Sequence, residues 1–320
     1  MQTALYQQMA ISPVKPDNTG KSLGESIIKA LAYFDIFQYP LSKIELKQFL
    51  DQPVIEAAFD KTLERLVNKK TIFRLYDFYS LHNNLLLAQK RKQGNIRAEQ
   101  LLSKAMKIGR FLYKFPYVRA IGISGSLSKN YADQKADIDF FIITKANRLW
   151  IARTLMHIFK KLTFLTGRQH LYCMNYYVDE SALEVENKNI YTAIEVTTLL
   201  PVYGKEKLHD FFAANDWVNE LLPACSLRLQ QMEDPPGSWF QKLVEWMFNN
   251  RIGDQLDTYL MKITSLRWKR KTEKGKCNEK GQVMGLITGK HFAWSNPESF
   301  QEKVLSLYTQ KLAELKLQDA

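Results

Sequence analysis

Gly122-Ile123-Ser124-Gly125-Ser126 is followed, after a ten-residue spacer, by Asp137-Ile138-Asp139-Phe140. Apolar runs flank both pieces. Tyr117 to Ile123 reads as a strand entering the small-residue turn, and Ile138 to Thr144 as the strand that carries the acids. Side chains alternate faces along a strand, so Asp137 and Asp139 point the same way while Ile138 faces the core. Two carboxylates held that close repel unless a cation lies between them, and hard oxygen ligands favour Mg²⁺. Gly125 lets the backbone come near a phosphate with no Cβ in the way. Ser126 adds a hydroxyl donor, and amides opening a following helix favour negative charge.

This pattern resembles the nucleotidyltransferase superfamily, which includes DNA polymerase β, poly(A) polymerases and aminoglycoside nucleotidyltransferases. The shared signature is hydrophobic–Gly–Ser, a spacer of roughly ten residues, then acid–hydrophobic–acid–hydrophobic. Gly125, Ser126, Asp137, Ile138, Asp139 and Phe140 meet it here. The resemblance covers residues 115–180. It implies an α+β fold with a mixed β-sheet core, and a nucleoside triphosphate whose β- and γ-phosphates lie against Gly125 and Ser126. It also implies Mg²⁺ or Mn²⁺ on Asp137 and Asp139, and transfer of a nucleoside monophosphate to an acceptor with release of pyrophosphate. An inactive relative that keeps the fold, acting as a nucleic-acid- or partner-binding regulator, is the alternative.

Members of the superfamily usually carry a third acid on a neighbouring strand. The next strand here, Leu171 to Val178, has Asn175 in its middle. An amide can coordinate through its carbonyl but can neither take a proton nor neutralise charge. Asp179, four residues on, falls on the same strand face if the strand runs that far and is the expected substitute. Glu195, inside the apolar run Tyr191 to Pro201, is the second choice.

Outward from this core the chain divides into further segments. Residues 1–22 read as a flexible leader containing Pro13, Pro16 and Gly20. Residues 23–84 read as three helices and a hairpin. Ser22 and Glu25 form a capping-box pattern, Ser42 caps the second helix, and Phe59, Leu63 and Leu66 mark the third. That order resembles a winged helix, although the mixed charges of the third helix suit packing or partner binding better than a phosphate backbone. Residues 85–205 hold a basic helix and then the core, in which Asn147 to Thr166 forms a helix on 151, 155, 158, 159 and 162, stopped by Gly167. Residues 206–320 are expected to be a helical C-terminal domain, with Lys269 to Gly285 a mobile loop.

The chain has 320 residues and a formal net charge of +12, unevenly placed. Residues 85–120 carry nine Lys or Arg against one acid, and residues 261–290 nine against two. Basic segments on either side of the core would attract polyanions, nucleic acid or triphosphate. No run approaches the roughly 18 apolar residues of a membrane span, and the first residues lack a secretory pattern. The three cysteines (173, 225 and 277) and five histidines show neither disulfide nor zinc spacing. The expectation is a cytoplasmic protein.

Overall fold

The structure, a computed structural model, describes residues 22–163, 171–225, 234–275, 284–297 and 299–318. Most of the expected leader, the Gly167 stop and residues 276–283 of the expected loop lie outside the described residues.

Helix α1 (Leu23–Asp35) starts at Ser22, whose hydroxyl accepts from the Glu25 amide. Strand β1 (Leu41–Ser42) leads into α2 (Lys43–Gln48), where Ser42 and Glu45 form a full capping box. Helix α3 (Glu56–Asn68) buries Phe59, Leu63 and Leu66, the expected stripe. Strands β2 (Phe73–Leu75) and β3 (Phe78–Ser80) turn through Tyr76, at φ +58°, and β1 adds to β3 to give a three-stranded antiparallel sheet.

One continuous 28-residue helix, α4 (Leu85–Leu112), follows. The core sheet then builds from β4 (Val118–Ser124), a single helical turn α5 (Gly125–Ser128) and β5 (Asp139–Thr144). After these come α6 (Leu149–Thr163), β6 (Cys173–Asp179), α7 (Ile190–Thr198) and β7 (Leu200–Tyr203). Helices α8 (Lys205–Ala214), α9 (Val218–Leu221), α10 (Trp239–Phe248) and α11 (Arg251–Glu273) precede the hairpin β8 (Met284–Thr288) and β9 (Phe292–Pro297). Helix α12 (Phe300–Gln318) closes the chain.

The six-stranded sheet has the order β7-β4-β5-β6-β9-β8, parallel only between β5 and β6. It is therefore a mixed sheet in an α+β molecule. Residues 206–320 are not helical throughout, because β8 and β9 extend this sheet beside β6. Nor do Lys269 to Glu273 form a loop. These residues are good helix formers, and cations at a helix C-terminus complement its dipole, so α11 continues through them. No helix among the described residues is long and apolar enough to cross a membrane.

The two faces of the sheet bury different partners. Ile123, Phe140, Ile142 and Tyr177 pack with α4 and with Trp150 and Met156 of α6. Phe141, Ile143 and Val178 face the other way, in one cluster with Ile194, Phe211 and the α1–α3 residues Ile27, Leu31, Phe34 and Phe59. The N-terminal helices thus share a core with the sheet face that carries the acids. Helix α6 buries Leu149, Trp150, Ala152, Arg153 and Met156 together with Ile151 of the expected stripe, while Leu155 and Phe159 are half-buried and Ile158 and Leu162 exposed, so its inner face is rotated toward one edge of that stripe.

Helix α11 is tied to α6 by Asp257, whose carboxylate accepts from the Ile151 amide at 2.9 Å. Burial pushes this carboxyl up from 3.8 to about 6 despite that bond. A carboxyl raised on folding stabilises the fold while protonated, so its contribution is full below the ordinary 3.8 and lost as pH rises through about 6. Asp257→Asn is expected to flatten the fall in urea midpoint between about pH 4 and about pH 7; an unchanged slope would assign that fall to other groups.

Candidate functional site

Gly125 sits at φ +71°, a left-handed conformation that glycine adopts without a Cβ penalty. A Cβ built there would lie 2.8 Å from Asp139 Oδ2, so the turn and the carboxylate pack directly on each other. The register explains the approach: Ser124, last in β4, pairs with Asp139, first in β5. Gly125→Ala is expected to cost about 1–2 kcal/mol for the backbone alone and to displace Asp139. Thermal melts and nucleotide titrations would read these two effects separately.

Asp137 lies two residues ahead of the strand rather than within it, yet the alternation holds. Ile138 and Phe140 are buried while Asp137 and Asp139 are half-buried and line one cleft of about 1500 Å³. The same cleft takes in Gly125, Ser126, Asn175 and Glu195. The Cys173 thiol registers both acids. It is pushed up to about 11, first by burial and then, against Lys160, by Asp139 and Asp137. Ser126 is exposed to the cleft. Helix α5 is only four residues long, so the expected help from a helix dipole reduces to the turn and the Ser126 hydroxyl.

Asn175 stands at the expected place of the third acid, and its Nδ2 donates to Asp139 Oδ1 at 2.7 Å. Asp179 does not join it. Phe140 pairs with Met174 and Phe141 with Tyr176, so Asn175 is the extra residue of a β-bulge. Beyond the bulge the alternation is inverted. Asp179 pairs with Thr144, five residues from Asp139 and hence on the opposite face, roughly 16 Å along the strand. There its buried carboxylate accepts from the amides of Asn147 (2.9 Å) and Ser181 (2.8 Å) and meets His291 Nδ1 at 2.8 Å. The expected catalytic role for Asp179 is thereby corrected to a structural one.

Glu195, by contrast, reaches the cleft from α7. It pairs with Lys129 Nζ at 2.8 Å, and the same ammonium donates to the Gly125 carbonyl at 3.1 Å. The Tyr191 phenol is pushed far above its usual range by burial, then by Glu195 and Asp139, which places both carboxylates within its electrostatic reach. Lys129 was legible in principle, since it lies four residues after Gly125 and a single turn brings it back over the glycine.

The cleft has two unlike walls. Arg97 and Lys104 of α4, Lys135 and Lys160 line the cleft with cations. The other wall is aromatic: Trp294 stacks on Tyr176 (5.3 Å between ring centres, 4° between planes), and Tyr176 on Phe141. Tyr33 of α1, Phe37 just beyond that helix and Phe300 of α12 complete it. The Tyr39 hydroxyl donates to the Lys129 carbonyl, joining the N-terminal helices to the turn. The basic stretch 85–120 is divided. Arg91 is buried against Glu45 (2.6 Å) and Arg119 pairs with Glu245 (2.8 Å), whereas Arg97 and Lys104 face the cleft.

No protein-family model, curated protein or solved structure matches the chain.

Proposed function

We propose that the chain is a Mg²⁺-dependent nucleotidyltransferase with a winged-helix-like N-terminal module as one wall of its cleft. The observation that carries this reading is the packing of Asp139 against Gly125 at positive φ, with Asp137 beside it in a cleft large enough for a nucleotide and an acceptor. Among the described residues no three His, Cys, Asp or Glu side chains converge closely enough to hold a metal unaided. The paired carboxylates of Asp137 and Asp139 fit Mg²⁺, which is usually held by one or two carboxylates with water and substrate phosphates completing its shell. Asp137 and Asp139 would hold it, or Mn²⁺ in its place, and the bound ion would neutralise charge on the phosphate oxygens.

The chain's own residues have the remaining roles. The Gly125 backbone and the Ser126 hydroxyl would hold the β- and γ-phosphates, and Lys104, Lys135 and Lys160 would offset their charge. In the step itself an acceptor hydroxyl attacks the α-phosphorus, the bond to the β-phosphate oxygen breaks, and pyrophosphate leaves. The hydroxyl proton passes to a carboxylate, for which Glu195 is placed in the cleft and Asp179 is not. Calorimetric titration with each nucleoside triphosphate, with and without Mg²⁺, tests the binding half, and pyrophosphate release with a panel of hydroxyl acceptors tests the chemistry. Absence of metal-dependent triphosphate binding would end this reading.

One observation favours a second reading, that of an inactive relative serving as a regulator. The Asn175 amide occupies an oxygen of Asp139 where an acid would add charge. Under that reading Asn175→Asp leaves pyrophosphate release at background; under the first it raises or preserves turnover.

A further inference from the structure

Trp239, Leu243 and Trp246 on α10 and Ile252, Tyr259 and Leu266 on α11 are large apolar side chains left exposed, Trp246 to 79% and Ile252 to 65%. Helix α10 buries none of its residues. The spacings i, i+4, i+7 and i, i+7, i+14 put each set on one face of its helix. The opposite faces are in use. On α10, Val244 and Phe248 pack in one cluster with Tyr117, Ile151 and Ala152, which Leu256 and Leu260 join from the flank of α11; the buried positions of α11, Gly253 and Asp257, lie away from its exposed stripe. Because both helices rest on the same layer, their outer faces look the same way, on the side of the sheet opposite the cleft.

The charge on that outer side is nearly all of one sign. Lys242, Arg251, Lys262, Arg267 and Arg270 are exposed, and none has an ion-pair partner among the described residues. Of the neighbouring acids, Glu245 is engaged with Arg119, Asp254 with Arg148 and Asp257 with the Ile151 amide, which leaves Glu273, in the last turn of α11, as the exposed acid against five cations. An apolar stripe with two tryptophans, flanked by unpaired cations, needs a partner that is both anionic and able to take up apolar side chains. A two-fold contact with a second copy would set the cations against themselves. A nucleic-acid duplex would meet the cations and leave the tryptophan and aliphatic side chains in water. A bilayer with acidic headgroups meets both, since indole rings favour the interface and amphipathic helices lie in its plane. We propose that the α10–α11 face docks the protein peripherally on an anionic membrane surface, an association that requires no spanning helix.

Flotation of the full chain with phosphatidylcholine vesicles, with and without phosphatidylglycerol, tests this. The expected result is flotation with the anionic vesicles only, weakening with salt, and a blue shift of tryptophan fluorescence. Lys262→Glu and Arg267→Glu should lower the partition by roughly fivefold for each cation removed, and Trp246→Ala or Leu266→Ala by roughly tenfold each. All four positions are exposed, so unchanged melting temperatures would show that the variants fold. Failure to float with anionic vesicles at low salt overturns the proposal. Full binding by Trp246→Ala and Leu266→Ala, with duplex DNA or RNA competing for the same cations, replaces it with a nucleic-acid surface. A dimer that dissociates on Trp246→Ala replaces it with a second copy of the chain.

Discussion

Asp139→Asn is expected to abolish Mg²⁺-dependent triphosphate binding and to lower turnover on the order of 10³-fold or more, the several kcal/mol that a bound metal supplies to a phosphoryl transition state. The substitution is close to isosteric. One oxygen of Asp139 already accepts from Asn175 and the other lies against Gly125, so the new side chain would offer an amide where a carboxylate now meets either the turn or the Asn175 amide. The fold should survive, because the strand that carries Asp139 is held by Ile138, Phe140 and Ile142 on its other face. Relief of repulsion from Asp137 should partly offset the lost hydrogen bond. Asp137→Asn should act in the same direction but leave the Asn175 bond in place, so its effect on stability should be smaller. Calorimetry with and without Mg²⁺, alongside a urea melt, separates the two quantities. Unchanged triphosphate affinity in Asp139→Asn would remove the metal from the site and the transferase reading with it.

The part of the site that sequence could supply is local. Gly125 and Asp139 lie fourteen residues apart on antiparallel neighbours, and a period of two decides which side chains share their face. The register pairing Ser124 with Asp139 follows from two apolar runs of matching length. What sequence could not supply depends on partners far along the chain. Strand β7 begins just after α7 in a stretch with no strand pattern of its own; it is a strand because β4 has an open edge beside it. Strands β8 and β9 complete the sheet from a segment whose composition reads as helices and a loop, and through β9 they bring Trp294 onto Tyr176. Helix α11 outruns its apolar pattern because its last turn is held by propensity and charge. The position of the third acid failed for a different reason. A bulge leaves no trace in hydrophobic alternation: Met174, Asn175, Tyr176 and Tyr177 read as ordinary strand either way, and one extra residue inverts every face beyond it.

That inversion makes opposite predictions for the two acids considered as proton acceptors. Asp179→Ala should leave turnover per folded molecule within a few-fold of the parent while costing stability, on the order of 3–5 kcal/mol for removing the acceptor from a buried cluster. Its carboxylate satisfies the Asn147 and Ser181 amides and faces His291, and none of these contacts reaches the cleft. Glu195→Gln should do the reverse. Glutamine keeps the length and packing of the side chain on α7 and can still accept from Lys129, so melting should change little. It cannot take a proton, so turnover should fall by about 10²–10⁴, the range for a positioned acid–base group, with triphosphate binding largely kept. In the ground state the Lys129 ammonium is shared between Glu195 and the Gly125 carbonyl. A triphosphate seated on the Gly125 turn would compete for that ammonium and release the carboxylate when substrate is present. Lys129→Met would then weaken triphosphate binding more than it slows the bound complex. Urea titrations and single-turnover rates on the three variants give the pattern directly. If Asp179→Ala lost turnover at unchanged stability while Glu195→Gln kept it, the face inversion at Asn175 would not govern the chemistry, and the strand in solution would have to run without its bulge.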